Sequence, residues 1–426
     1  MKNICFYFEV HVPYVMKRYR FFEIGKDHYY YDDFATEQQL RSYAEKSFLP
    51  ANGILLDLIK SSNKKFKCAF SLSGSALEQL EMYAPEVIDS FRALADTGCV
   101  EFLAEPYGHS LASVYNDGEF ELQVKRQADK IEELFGKRPV TFRNTELIYS
   151  DEIGEKIAKL GYKTVLVEGA KHILGWKSPN YVYSHPYVSK LKLLTRNYVL
   201  SDHITFDFSN TSWDQYPLTA DKFVNWIAQA PEEEKIFNIW MGYESFGIVQ
   251  KDYTGIFEFL KALPSQAFKR GIGFITPEEA AKNPAVDALS ASYPFCWTGE
   301  EKNMSTWTGN QLQEEALNKL YSVTERVNLC KEKALRHDWL HLQCTDYFRY
   351  MSFKNAWGSP FGSPYDAFIN YMNMLADFLQ RVDAEYPTSI ENEELNALLK
   401  TINEQEKNIN ELEATVKRLR SRKQAQ

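Results

Sequence analysis

Two acidic residues stand where an α/β chain keeps reactive carboxylates. Glu146 interrupts "TFRNTELIYSDEIGEKIAKLGYKTVLVEG" (residues 141–169), a stretch that reads strand, turn, amphipathic helix, strand. Asp202 lies in "TRNYVLSDHITFDFSN" (195–210), again just past a strand-like run. A pair of carboxylates on one rim suits cleavage of a glycosidic bond. One attacks or stabilises an oxocarbenium-like centre, and the other protonates the leaving oxygen. Taken singly, each reads more readily as a helix N-cap or a solvated loop acid. The case therefore rests on whether the surrounding elements bring the two together.

Other chemistries find less support. "HDWLH" sets His337 and His341 on one helix face, like part of an H-E-x-x-H zinc motif. Its middle acid is Asp338, shorter than glutamate and poorly placed as a base, and no third ligand is apparent in sequence. Both imidazoles are therefore read as structural. His11, His109, His172 and His203 show no ligand spacing and suit hydrogen bonding to substrate hydroxyls better. No phosphate-cradling glycine motif and no G-x-S-x-G elbow occur, so neither a metal nor a nucleotide cofactor is expected.

The elements that must position the pair are strands alternating with helices up to about residue 280. Strand-like runs are "NICFYFEV", "KCAFSLSG", "CVEFLAE", "VTFRNT", "KTVLVEG", "NYVLSD", "KIFNIWMGYES" and "GIGFITP". Alternation at this spacing predicts βα repeats on a parallel sheet, closed or nearly closed into a barrel. Polar residues end many of these runs: His11, Glu101 or Glu105, Glu146, Asp202 and Glu244. In a βα barrel such ends share one rim. From Asn310 the texture becomes helical, giving a catalytic domain over 1–284 and a helical domain over 285–388. In the tail, 389–426, Leu395, Ile402, Ile409 and Val416 recur every seven residues, each followed at three by Leu398, Gln405, Leu412 or Leu419. That is a coiled-coil pattern, which points to a homo-oligomer held through residues 390–423; the alternative is a helix packed on its own chain.

Composition narrows the partners. The 426 residues carry 49 basic and 58 acidic side chains, a net charge of −9, which leaves no basic stripe for nucleic acid. Aromatic residues make up 15 %, enough for stacking platforms as well as core. The 6 cysteines form no CxxC pair and fit a reducing compartment. Neither a signal peptide nor a membrane-length apolar run is read, so a cytoplasmic protein is expected.

Several stretches together resemble glycoside hydrolase family 57, the α-amylase and α-glucanotransferase family. They are "FEVHVPY", "GCVEFLAEPYGHSL", "FRNTELIYSDEIGEKIAKLGY", "LSDHITFDFSN", "YPLTADKF" and "MGYESFGIVQKDYTGIFEFLKALP", followed by "FCWTGEEKNMSTWTGNQLQ" and "SPYDAFINYMNMLADF". The resemblance spans about residues 3–380. It implies an incomplete (β/α)7 barrel followed by an all-helical C-terminal domain that completes the cleft. It also implies a retaining mechanism with Glu146 as nucleophile and Asp202 as general acid/base. His11, Glu101 and His109 would line the glucose subsite, with Glu244, Trp297 and Trp307 elsewhere in the cleft. The implied activity is α-amylase-type hydrolysis of α-1,4 bonds in malto-oligosaccharides or a glycogen- or starch-like polymer. Alternatives within the resemblance are a 4-α-glucanotransferase, a branching enzyme, or a weakly active glucan-binding relative. The pattern departs from the family at Val12, Gly242, Ile248, Val249 and the run Thr298 to Asn303, which puts the subsites in question more than the reaction type.

Overall fold

In the first strand, "NICFYFEV", side chains of both parities are buried, as a parallel strand covered on both faces requires. Ile4, Phe6, Phe8 and Val10 pack outward against helices. Cys5 and Tyr7 point the other way, into a small inner core with Leu103, Leu166, Leu194 and Trp240. The same inward parity reaches Glu9 at the strand's end, so the alternation that builds the core also delivers a carboxylate to its rim.

The computed structural model describes residues 1–386 and the separate positions 398, 401, 402, 405, 408, 409, 412 and 416. Its single mixed sheet has ten strands among the described residues. They are β1 (Asn3–Val10), β2 (Cys68–Leu72), β3 (Val100–Leu103), β4 (Thr141–Arg143), β5 (Thr164–Glu168), β6 (Val182–Ser184), β7 (Lys192–Arg196), β8 (Ile236–Gly242), β9 (Gly273–Ile275) and β10 (Asp287–Ala288). Parallel pairings run from β1 to β2 to β3, from β4 to β5 to β7, and from β8 back to β1. Two thin seams join these pieces. Ala104 bridges to Phe142 between β3 and β4, and Arg196 pairs with Asn238 between β7 and β8. β6 runs antiparallel beside β7, β10 flanks β6, and β9 lies along β1.

Most expected strands are present. "NYVLSD" is the exception: Tyr198–Asp202 is a short helix, and the strand, β7, lies just before it. Asn197 decides this locally, because its side chain accepts from Leu200 N at 3.0 Å and caps a helix where the apolar run alone suggests extension. The helical stretch after β2 divides at Pro85 into Gly74–Tyr83 and Pro85–Ala95.

After the last strand come the helices Gln311–Tyr321, Thr324–Leu329, Lys333–Leu342, Thr345–Arg349 and Pro364–Glu385. Their apolar faces do not form a core of their own. A single cluster joins Leu317, Trp339 and Phe378 to Phe142, Val165 and Leu193 of the sheet. No described helix is long and apolar enough to cross a membrane. Most of the heptad tail falls outside the described residues.

Candidate active site

The ends of β1, β4, β7 and β8 open onto a cavity of about 1250 Å³, bordered by Glu9, His109, Glu146, Asp202, Glu244 and Asp346. Both carboxylates singled out from the sequence face this one space.

Glu146 lies in the turn Thr145–Leu147 directly after β4, with φ 54° and ψ 24°; Leu147 and His109 also have positive φ. Left-handed backbone at a non-glycine residue costs about 1–3 kcal/mol and persists only where its surroundings over-determine it. Here Asn144 clamps the turn by donating to Ser113 Oγ and to the Ile148 carbonyl, each at 2.9 Å. Trp297 N donates to the Glu146 carbonyl at 3.3 Å, while the Trp297 indole N–H donates to Glu146 Oε2. The other carboxylate oxygen lies 3.4 Å from His109 Nε2.

Behind His109 is a buried ionic cluster. Its Nδ1 is 3.5 Å from Glu9 Oε1 and 3.7 Å from Glu105 Oε2. Arg143, fully buried on β4, donates to both glutamates at 2.6 Å. Burial works against the imidazolium of His109, but the surrounding Glu105, Glu146 and Glu9 prevail and push its pKa up to about 10. Burial likewise raises Glu146, yet its bond to His109 and the charge there outweigh that and hold it below the usual carboxylate range. Burial pushes Glu9 up to about 8 against the pull of Arg143.

His11 stacks on His109 with ring centroids 3.8 Å apart. Its Nδ1 is 2.8 Å from Ser73 Oγ and its Nε2 is 3.0 Å from Asp346 Oδ2. Burial lowers the pKa of His11. Asp346, from the helix Thr345–Arg349, pairs with Arg349; that charge and His11 overcome burial and hold it far below its ordinary value.

Asp202 ends the short helix after β7, and its side chain keeps 29 % exposure. It accepts from Arg196, whose guanidinium also reaches Glu168 Oε2 at 3.1 Å and the Trp240 carbonyl at 3.1 Å. Burial raises Glu244 to about 7. A Cβ built on Gly242 would meet Glu244 Oε1 at 2.2 Å, so the Glu244 carboxylate fills the space a side chain at 242 would take.

Three residues considered for the site, Glu101, Trp307 and His203, stand away from this cavity. Glu101 is at the second position of β3 and accepts from Glu278 N at 2.8 Å, near the opposite end of the sheet. Glu105, four residues on and roughly 13 Å further along an extended chain, is the one at the His109 cluster. Trp307 is fully buried in the core shared by sheet and helices. Val12 is core as well and Asn303 donates to Glu301; of the departures, Gly242, Val249 and Thr298 to Lys302 border the cavity, and Val12, Ile248 and Asn303 do not. His172 does border it, whereas His203 pairs with Asp207. Sequence reasoning missed Glu9, Arg143, Glu168, Arg196, Asp346 and Arg349. The legible signal was a charged residue at or near the end of an apolar strand, as in "FYFEV", "TFR" and "KLLTR".

Carboxylates gathered at the ends of parallel strands mark an α/β enzyme site without naming its substrate, and similarity to known proteins fixes the family. The sequence pattern of glycosyl hydrolase family 57 matches residues 5–296. A Methanocaldococcus jannaschii protein named "Putative alpha-amylase" is 36 % identical over 400 residues, covering 88 % of this chain and 84 % of that one. The chain belongs to glycosyl hydrolase family 57. Its fold is similar to the branching enzyme of Pyrococcus horikoshii, with TM-score 0.66, 16 % identity and coverage of 94 % of each chain. It is also similar to the 4-alpha-glucanotransferase of Thermococcus litoralis, with TM-score 0.60, 17 % identity and coverage of 88 % of this chain and 59 % of that one.

Proposed function

We propose that this chain is a retaining glycoside hydrolase of the α-amylase type, cleaving α-1,4-glucosidic bonds in malto-oligosaccharides or a glycogen- or starch-like polymer. The observation that carries the reading is Glu146, buried, strained and hydrogen-bonded by Trp297 and His109, facing one cavity with the partly exposed Asp202. In this reading the returning parallel pairings form the incomplete (β/α)7 barrel of 1–284, and the helices of 285–388 complete the cleft by supplying Asp346 and Arg349.

Glu146 attacks the anomeric carbon as Asp202 gives its proton to the leaving oxygen, forming a β-glucosyl-enzyme. Asp202 then takes a proton from the water that releases the sugar. His109 keeps Glu146 ionised and therefore nucleophilic. His11, held between Ser73 and Asp346, is placed to bond a hydroxyl of the glucose unit undergoing attack, and Glu244 and Trp297 to contact the sugar around it. No cofactor takes part. The test is incubation with maltoheptaose: shorter sugars from the native chain and none from Glu146→Gln are expected, whereas full activity in that variant would overturn the assignment.

A transfer reaction is the second reading. It is favoured by Trp357 and Phe206, each 53 % exposed at the cavity, which offer apolar faces on which an acceptor sugar stacks. Maltotriose separates the two: transfer yields longer chains, hydrolysis does not.

The reading also places the protein in the cytoplasm as a homo-oligomer joined through residues 390–423. In support, the described tail positions Leu398, Ile402, Ile409, Leu412 and Val416 are helical and exposed rather than packed on the chain.

A further inference from the structure

Away from the cavity, the two histidines of "HDWLH" meet a partner the sequence does not suggest. His337 and His341 lie on Lys333–Leu342, and Glu78 comes from the helix Gly74–Tyr83. His341 Nε2 is 2.9 Å from Glu78 Oε2, His337 Nε2 is 3.3 Å from the same oxygen, and the two Nε2 atoms are 3.1 Å apart. We propose that Glu78, His337 and His341 form a binding site for a divalent first-row transition ion, zinc being the natural occupant for two imidazoles and a carboxylate.

The spacing is what such an ion requires. Ligand atoms bound at about 2.0–2.1 Å lie about 2.9 Å apart at right angles and about 3.3 Å apart at the tetrahedral angle. All three separations fall in that interval. Two imidazole N–H groups can share the one oxygen, but they then bring two donor nitrogens within 3.1 Å of each other. A cation at the common point resolves every contact.

The surroundings hold the ligands in place. Tyr107 donates to Glu78 Oε1 at 2.7 Å and Arg126 at 3.1 Å, leaving Oε2 turned to the imidazoles. The ring of Tyr14 packs edge-on against His341 at 4.5 Å. A neighbouring cavity of about 560 Å³, bordered by Tyr29, Asp33 and Glu81, leaves the remaining coordination positions to water.

The site links two parts of the fold that matter to the cleft. Ser73, the N-cap of the helix carrying Glu78, bonds one nitrogen of His11, and Asp346, shortly after the helix carrying both histidines, bonds the other. An ion here staples the helix whose N-cap Ser73 holds one side of His11 to the helix that precedes Thr345–Arg349, whose Asp346 holds the other.

The test uses the full-length chain stripped with chelator, then loaded with Zn²⁺ or Co²⁺ and desalted. One ion per chain, a higher thermal midpoint, and a visible Co²⁺ band are expected, with band intensity separating four from six ligands. His337→Ala removes a half-exposed ring and leaves the fold, and Glu78→Gln supplies a second variant. Each is expected to weaken binding by more than the roughly 10–100-fold that loss of an orienting partner alone costs. No stoichiometric uptake by the native chain would overturn the site. So would uptake undiminished in both variants, which would place the ion elsewhere, such as His11, Cys344 and Asp346.

Discussion

The two carboxylates across the cavity are held in opposite ways. Glu146 is enclosed: its backbone is strained, both oxygens have partners, and a cluster of buried, paired side chains stands behind it. Asp202 sits where the helix Tyr198–Asp202 passes into the helical turn His203–Asp207, nearly a third exposed, with Arg196 as its hydrogen-bonding partner. A nucleophile must stay ionised and fixed, which burial permits only when counter-charges are built in. An acid/base must gain and lose a proton in every cycle, which calls for access to water and a looser hold.

After loss of the nucleophile itself, the largest effect should come from the looser side. Asp202→Asn is expected to lower kcat about 10²–10⁴-fold while glucan binding holds, read from steady-state kinetics and calorimetry. Next is the buried support of the other side. Arg143→Met leaves Glu9, Glu105 and Glu146 facing one another, and should cost about 3–5 kcal/mol in urea unfolding.

A pH series sharpens the contrast. The pKa of His109 rises from 6.5 to about 10 on folding, so its stabilisation is complete below 6.5 and is lost as pH rises through 10. Glu9, raised from 4.5 to about 8, weakens the fold in the same direction over its own range. The thermal midpoint should therefore fall between pH 7 and 10, and His109→Gln should flatten the upper part of that fall.

Gly242→Asp forces the Glu244 carboxylate aside; about 1–3 kcal/mol of lost stability and a raised KM are expected. The smallest effect on catalysis belongs to the tail. Truncation at Glu391 should leave activity intact and yield a monomer by light scattering, and identical masses for both chains would show that the tail does not join copies.

Much of this was legible from pattern alone. The apolar runs of β1, β2, β5 and β8 announce buried parallel strands, and Glu146 and Asp202 stand out by following such runs. β7 was hidden because "KLLTR" is short and the adjoining "NYVL" looks more extended than it is; Asn197 capping tips it to helix. Glu101 and Glu105 share a parity on one chain, so only the direction of the sheet tells which reaches the rim. Trp307 shows that an aromatic near a cleft motif is as readily core. The ionic cluster was invisible because Glu9, Glu105, Arg143 and His109 come from separate segments. Glu78 lies 263 residues from His341, a distance at which spacing carries no information.

The most direct test of the account traps the covalent step. Asp202→Asn is incubated with an α-maltosyl fluoride, whose leaving group needs no proton, and the protein is examined by intact mass and peptide mapping. Glycosylation should proceed and release should stall, so the chain gains one maltosyl unit on Glu146. An adduct on another residue, or rapid release of maltose with no adduct formed, would contradict the roles given to Glu146 and Asp202.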